Sequence, residues 1–372
     1  MPTVDTSNRY DFLDVARGLA ALLVLVEHAG DVYVPGFVQW SYAFGSLGRI
    51  GVVIFLMVTG FIIPQSLERS GSVGRFWVRR VFRLFPVYWL SVVLFFAYAG
   101  THPPTGTKLP AGDTAGWLVN LTMVQRLFGV QDAFGVYWTL FLELAIYAGC
   151  TALFLTHLNR HWKTVLVVAI AGYGAAGLAW PLVGGAPFTQ YGPNMGRGLL
   201  YVTPLFGVVL HLYVSGRLSR RGAYGFVAAW AAVYGLVAGV NAALYPGDFP
   251  AKQVWQHYLM YGSAVAVLFG LAELRRRRMP AAAVWFGRIS YSVYLLHGLW
   301  LCLLNDWGWK LKYRVPAYFA FITATSAAAY YLVELPGIAL GRKVEQWLWG
   351  RKKRPTPVRT VEDSKPALAM AA

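Results

Sequence analysis

Residues 11–28 read DFLDVARGLAALLVLVEH, an apolar run interrupted by Asp14, Arg17, Glu27 and His28. The run has the character of a first membrane-spanning helix. Ten residues separate Arg17 from His28, so at about 100° per residue the two side chains return to within roughly 20° of one face, about 16 Å apart along the axis. Ionisable groups at membrane depth are costly and usually face a functional cavity. The alternative is that Arg17 snorkels to the membrane rim and His28 caps the far end.

The composition is that of an integral membrane protein. Of 372 residues, 57% are hydrophobic and only 13% are charged, too few to cover a soluble chain of this size, and the mean hydropathy is +0.48. The net charge of +17 does not indicate nucleic-acid binding, because the cations cluster in short loops, where they orient membrane helices. Cys150 and Cys302 lie in apolar runs and indicate neither a disulfide framework nor a metal site.

The apolar runs predict an all-α, polytopic membrane bundle of about ten transmembrane helices. The predicted spans are residues 11–28, 48–67, 86–99, 134–155, 162–183, 197–215, 222–244, 254–273, 285–304 and 316–339. Lysine and arginine concentrate in the segments that lie in the cytoplasm when both termini are cytoplasmic, as the positive-inside rule requires. Residues 117–128 are predicted to form an interfacial or re-entrant piece, and residues 346–372 a polar, disordered cytoplasmic tail.

An arginine-rich stretch precedes the third span. Residues 73–85, VGRFWVRRVFRLF, alternate arginines with apolar residues, which is typical of an interfacial amphipathic helix. Arg80 and Arg83 lie on neighbouring turns, and paired guanidinium groups bind phosphates bidentately. Anchoring to anionic lipid head groups explains the same composition and remains the alternative.

Two later spans also carry ionisable residues. The fourth span contains YWTLFLELAIY, whose Glu143 is expected in the outer half of the membrane, where it would meet and orient His28. A structural hydrogen bond to another helix is the alternative for Glu143. The ninth span carries His297 near its middle, and a functional role competes there with a hydrogen bond to a neighbouring backbone carbonyl. Glu334, near the end of the tenth span, is expected to pair with a cytoplasmic arginine.

These stretches together resemble the acyltransferase-3 family of bacterial integral membrane acyltransferases, of the polysaccharide O-acetyltransferase type. LDVARGLAALLVLVEH is similar to the family's opening motif, IGVVIFLMVTGFII to its second-helix signature and FWVRRVFRLFPVYWL to its cytoplasmic arginine motif. YWTLFLELAIY resembles its Trp-Ser-Leu-x-x-Glu segment, with Thr139 in place of the usual serine, and ISYSVYLLH and VELP resemble two C-terminal signatures. Each motif alone is weak, but their order from about residue 9 to residue 342 is specific.

The resemblance implies a membrane O-acyltransferase domain over residues 1–345, in the bacterial cytoplasmic (inner) membrane. Its donor substrate would be cytoplasmic acyl-CoA, expected to be acetyl-CoA, and its acceptor a hydroxyl of a surface polysaccharide or a lipid-linked sugar. No permanently bound cofactor or metal is expected. The expected partners are therefore acyl-CoA, a glycan acceptor and membrane lipid, without nucleic acid.

The family's functional residues map onto five positions of this chain. Arg17, Arg80 and Arg83 match donor-binding positions. His28 matches the catalytic histidine, as general base or transient acyl carrier, with Glu143 as its helper. The sequence adds three further candidates: Asp14, Trp138 and His297.

Other functions use the same features. An antibiotic or another small-molecule hydroxyl is the rival acceptor. A transporter or flippase of a polysaccharide precursor would line its path with the same buried charges, although no internal repeat is evident. A membrane scaffold in a polysaccharide-assembly complex is a third class.

The predicted topology is tested by reporter fusions. Fusions at about Asp113 and Gly247 should report the outside, and fusions near Ser219 and Arg277 the inside, because the lysine and arginine distribution favours this orientation. A reversed signal at either pair would contradict the helix count.

Overall fold

The computed structural model describes residues 10–101, 112–179, 195–244 and 251–350, and all regular structure in these ranges is helical. Short 3₁₀ turns lie at Gln125–Phe128 and Leu158–His161, and a π-helical turn at Tyr330–Glu334. The α-helices are α1 Asp11–Tyr33, α2 Phe37–Ala43, α3 Leu47–Ser70, α4 Val73–Thr101, α5 Thr114–Asn120, α6 Trp138–Leu155, α7 Trp162–Ala179, α8 Met195–Val202, α9 Pro204–Val214, α10 Arg220–Leu244, α11 Ala251–Glu273, α12 Ala281–Asp306, α13 Leu311–Ala329 and α14 Leu335–Trp349.

The all-helical membrane architecture predicted from the sequence is confirmed in these ranges. Among the described residues, five helices are long and apolar enough to cross a bilayer: α3, α4, α6, α7 with the 3₁₀ turn before it, and α10. Each predicted span falls on one or two helices of the described ranges. The count of ten spans and the sides of the two termini stay predictions.

Three segments differ in the structure from the helices predicted from the sequence. The arginine-rich stretch and the third span form one continuous helix, α4, with Pro86 inside it. The sixth predicted span is divided at Thr203, because Pro204 begins α9 and cannot donate to the turn before it. The tenth span continues through the π-helical turn into α14, which ends at Trp349. Residues 346–349 of the predicted tail are therefore helical, and residues 351–372 lie outside the described residues.

Helix α1 lies at the centre of the bundle and packs mainly against α12 and α3. It contributes to both of the large apolar clusters. Leu13 and Ala20 belong to the cluster with α3, α9, α10 and α11, whereas Leu25 and Ala29 belong to the cluster with α4 and α12. The N-terminal part of α1 therefore packs in one cluster and its C-terminal part in the other.

Glycines allow α1 and α12 to approach closely. A Cβ atom added at Gly18 would lie 3.0 Å from the amide nitrogen of Gly287. A Cβ at Gly287 would collide with the backbone carbonyl of Asp14. Small residues at such a crossing are the usual solution in membranes, where helices associate by packing rather than by the hydrophobic effect.

Replacing Gly287 by alanine tests this crossing. The added methyl meets backbone rather than a flexible side chain, so the free energy of unfolding should fall by about 1–3 kcal/mol. Gly270→Ala on α11 is the control, since nothing lies within 4 Å of its added Cβ and alanine favours helix. Thermal unfolding in detergent should give a lower midpoint for Gly287→Ala alone; equal midpoints for the two variants would contradict the packing argument.

Candidate active site

Two neighbouring cavities are lined by several of the ionisable residues that the sequence singles out. The first, the arginine cavity, has a volume of about 90 Å³. Its charged lining residues are Arg17, Arg80, Arg83 and Glu143. The second, the histidine cavity, has a volume of about 660 Å³. Its polar and aromatic lining residues include His28, Asp31, Tyr42, Arg49, Trp138 and His257.

Helix α1 contributes to both cavities. Arg17 lines the arginine cavity and His28 lines the histidine cavity, about 16 Å apart by the helical rise. The helical periodicity inferred from the sequence thus matches an arrangement in which one helix presents a guanidinium to one cavity and an imidazole to the next.

Arg80 is held rigidly in the wall of the arginine cavity. Its guanidinium donates to the Ser66 hydroxyl at 2.7 Å and lies 5.4 Å from the ring of Phe76 and 5.7 Å from that of Tyr147. The side chain is buried, and its Nε has no hydrogen-bond partner among the described residues. A buried cation with unused donor capacity is suited to an anionic ligand.

Two other arginines of the same helix have a different role. Arg79 donates to Glu345 of α14 at 2.5 and 2.7 Å, and Arg75 donates to the same carboxylate at 3.3 Å. Burial raises the pKa of Glu345, but the hydrogen bonds and charges of Arg79 and Arg75 outweigh it and hold that pKa below its usual range. The arginine-rich stretch is therefore divided between an ion-pair cluster on α14 and the cavity.

Glu143 belongs to the arginine cavity and not to the histidine cavity. Its carboxylate accepts a hydrogen bond from the Tyr147 hydroxyl one turn further along α6. The two residues line different, neighbouring cavities, and the expectation that Glu143 meets and orients His28 stays a prediction. The alternative for Glu143 was a structural hydrogen bond to another helix, whereas the hydrogen bond from Tyr147 lies within α6. Trp138, at the start of the same helix, does line the histidine cavity with His28.

His28 has an imidazole neighbour. Its ring stacks on that of His297 of α12, with 5.2 Å between centroids and 22° between planes. His297 is fully buried, and its Nδ1 lies 2.7 Å from the Tyr294 carbonyl oxygen. A carbonyl only accepts hydrogen bonds, so Nδ1 carries a proton, whereas Nε2 has no partner among the described residues. His297 therefore makes the backbone hydrogen bond that the sequence offered as one of two alternatives; its functional role stays a prediction, and the stacking links it to His28.

Glu27 fixes the chain beside His28. This buried carboxylate accepts from the hydroxyls of Ser41 and Ser46, the latter at 2.7 Å, and from the Leu47 amide at 3.0 Å. It thereby ties the start of α3 to α1. Glu27 is recognisable in the sequence as an ionisable residue, but its partners are not, because the serines lie 14 and 19 positions away with no periodic relation to it.

The remaining predicted residues face other helices. Asp14 is buried, with its carboxylate 3.9 Å from Nε of Arg288 on α12, and it lines neither cavity. Glu334 accepts a hydrogen bond from Ser292 at 3.3 Å. Arg49 of the histidine cavity was not singled out from the sequence; its guanidinium lies 4.7 Å from the ring centre of Tyr42.

Comparison with known proteins is consistent with this architecture. A family model described as an acyltransferase domain matches residues 10–334. Nodulation protein 10 of Rhizobium leguminosarum bv. viciae is 26% identical over 90% of this chain and 95% of its own length. The putative membrane-bound transacylase BcsY of Komagataeibacter xylinus is 25% identical over 89% of this chain and 83% of its own length.

A further relative has a narrower match. The peptidoglycan O-acetyltransferase OatA of Listeria monocytogenes is 26% identical over 48% of this chain and 29% of its own length. No solved structure matches the chain. Because the family model covers most of the chain, including both cavities, this multi-pass membrane protein belongs to the acyltransferase-3 family and is an acyltransferase.

Proposed function

We propose that this protein transfers an acyl group, expected to be acetyl, from cytoplasmic acyl-CoA to a hydroxyl of a surface polysaccharide or of its lipid-linked precursor. The proposal is carried by one observation: a cavity with three guanidinium groups and one carboxylate adjoins a cavity with the candidate catalytic histidine. The first suits an anionic donor, and the second has space for a sugar. On this proposal the protein resides in the bacterial inner membrane, with the arginine cavity towards the cytoplasm.

Coenzyme A fits the charge of the arginine cavity. Its pyrophosphate and 3′-phosphate would be bound by Arg80 and Arg83, and guanidinium groups bind such oxygens in pairs. Arg17 would offset negative charge nearer to α1. Glu143 accepts from Tyr147 and would keep that ring against Arg80, so its role on this proposal is to position the donor site.

The transfer step follows from the chemistry of an imidazole beside a hydroxyl. His28 would take the proton of the acceptor hydroxyl while the oxygen attacks the thioester carbonyl, and the C–S bond would break to release coenzyme A as its thiol after protonation. His297 would support His28 by stacking, held by the Tyr294 carbonyl. Transfer through an acyl-histidine is the other route.

The acceptor class is supported by the relatives and by the aromatic lining of the histidine cavity. One relative is named as a peptidoglycan O-acetyltransferase and another as a transacylase. Trp138 and Tyr42 line the cavity together with the polar groups of Asp31 and Arg49, a combination that suits a sugar ring with hydroxyl groups. Mass spectrometry of surface glycans from cells with and without the gene would identify the acceptor, and an unchanged glycan would favour a small-molecule hydroxyl.

The donor site is tested by conservative replacement of its arginines. Arg80→Lys with Arg83→Lys keeps both charges but loses the planar guanidinium forks. A lost hydrogen bond to a charged group costs about 1.5–3 kcal/mol, so the Kd for acetyl-CoA should rise about tenfold or more. Calorimetry on the purified protein measures this change.

A matched control lies on the same helix. Arg75→Lys with Arg79→Lys alters the ion pairs to Glu345 and leaves the cavity lining intact, so acetyl-CoA affinity should be unchanged. Equal affinities in the wild type and in both double variants would return Arg80 and Arg83 to a lipid-anchoring role.

The catalytic role of His28 is tested by its removal. His28→Ala should lower acyl transfer by about 10²–10⁴-fold, the usual contribution of a general base, while acetyl-CoA still binds. His211→Ala is the control, since His211 is a buried imidazole of α9 packed against Phe61 and lines neither cavity. Transfer per folded molecule, measured with radiolabelled acetyl-CoA, should fall only for His28→Ala. Near wild-type transfer by this variant would exclude His28 as base or acyl carrier.

A further inference from the structure

The arginine cavity and the histidine cavity share two lining residues, Val52 of α3 and Tyr294 of α12. On the proposed function, coenzyme A is bound in the first cavity and His28 acts in the second. The acyl group must therefore pass between these two side chains to reach the imidazole. We propose that Val52 and Tyr294 form a septum that limits the length of the acyl chain transferred, an inference that rests on the proposed function.

Tyr294 is fixed across this passage by its hydroxyl. The Oη atom lies 2.8 Å from the Thr139 hydroxyl and donates to the Val136 carbonyl at 3.3 Å. Thr139 donates to the same carbonyl at 2.9 Å. Because Tyr294 is buried, swinging its ring aside would break the hydrogen bonding between its hydroxyl on α12 and the segment at the start of α6.

The opposite side of the septum is also stiff. Val52 is β-branched and lies within α3, where such side chains have one strongly preferred rotamer. Phe55, one turn further along α3, packs edge-on against Tyr294 with 5.8 Å between ring centres. A passage between a restricted valine and a braced tyrosine cannot widen by simple rotamer changes.

The space on the donor side favours a short chain. The arginine cavity measures about 90 Å³, against about 660 Å³ for the histidine cavity. Apolar side chains such as Leu56 and Leu140 line the arginine cavity close to Val52 and Tyr294. An acetyl group needs little room there, whereas each further methylene must displace packed side chains. A single methylene in a close-fitting apolar pocket changes selectivity by roughly 10–200-fold.

The septum is tested by the chain-length profile of the full-length protein in lipid nanodiscs. Release of the coenzyme A thiol is measured with acetyl-, butyryl- and hexanoyl-CoA. The acceptor is supplied as glycan-bearing membranes from the bacterium that carries the gene. The wild type should prefer acetyl-CoA. Val52→Ala should raise the hexanoyl-to-acetyl ratio of kcat/KM roughly tenfold or more, since it removes two methyl groups from the passage.

Two further variants complete the test. Val53→Ala is the matched control: Val53 is buried on the same helix and lines neither cavity, so its ratio should equal the wild-type ratio. Tyr294→Phe keeps the ring but removes the hydroxyl that fixes it, and should raise the same ratio by a smaller factor. If Val52→Ala is not recovered as folded protein, the ratio measured for Tyr294→Phe still tests the septum.

The outcomes separate the septum from the proposed function. If the wild type releases coenzyme A but Val52→Ala and Tyr294→Phe keep its chain-length profile, the septum is refuted and the acyl-CoA donor stands. If the wild type releases none from any of the three donors, the proposed function and the septum both fall. A ratio raised equally by Val53→Ala would also refute the septum, because loosened packing would then explain the change.

Discussion

The close contact between α1 and α12 determines how the site is built. Gly18 and Gly287 bring the two backbones together, and this fixes the depth of α1 relative to α12. At that depth His28 stacks on His297, while Arg17, one position before the contact glycine, lines the arginine cavity. A side chain at either glycine would separate the helices. The distance between the imidazoles of His28 and His297 would then increase as well.

Two groups of charges among the described residues have different roles. Glu27, Asp14 and Glu345 have partners that connect helices: Glu27 ties α1 to the start of α3, Asp14 lies near Arg288, and Glu345 binds two arginines of α4. Because each desolvated charge would otherwise be costly, these contacts fix the helix positions. The cations of the arginine cavity form the other group, and their charge exceeds that of the one carboxylate beside them.

On the proposed function, separating the arginines of the donor site from the imidazole of His28 has a physical advantage for an acyltransferase. Phosphates need cations and hydrogen-bond donors, whereas a general base must keep a lone pair available near the hydroxyl it activates. A guanidinium group that donated to His28 would occupy its lone pair and disfavour its protonated form; Arg49, which lines the same cavity, lies over the ring of Tyr42 instead. Val52 and Tyr294 line both cavities; if they form the proposed septum, each cavity can have its own polarity, and only the acyl group needs to pass.

Sequence alone determined the membrane class, the helical fold and the positions of most spans, because runs of apolar residues have few alternatives in a bilayer. It also determined the relation of Arg17 to His28, since both lie on one helix of fixed periodicity. Tertiary structure decided which arginines of α4 reach the cavity, because Glu345 lies more than 260 residues further along the chain. It likewise assigned Glu143 to the arginine cavity and gave His28 its neighbour on α12. Helix rotation and depth are set by packing between distant segments, and an apolar sequence does not encode them locally, since lipid and protein interior favour the same residues.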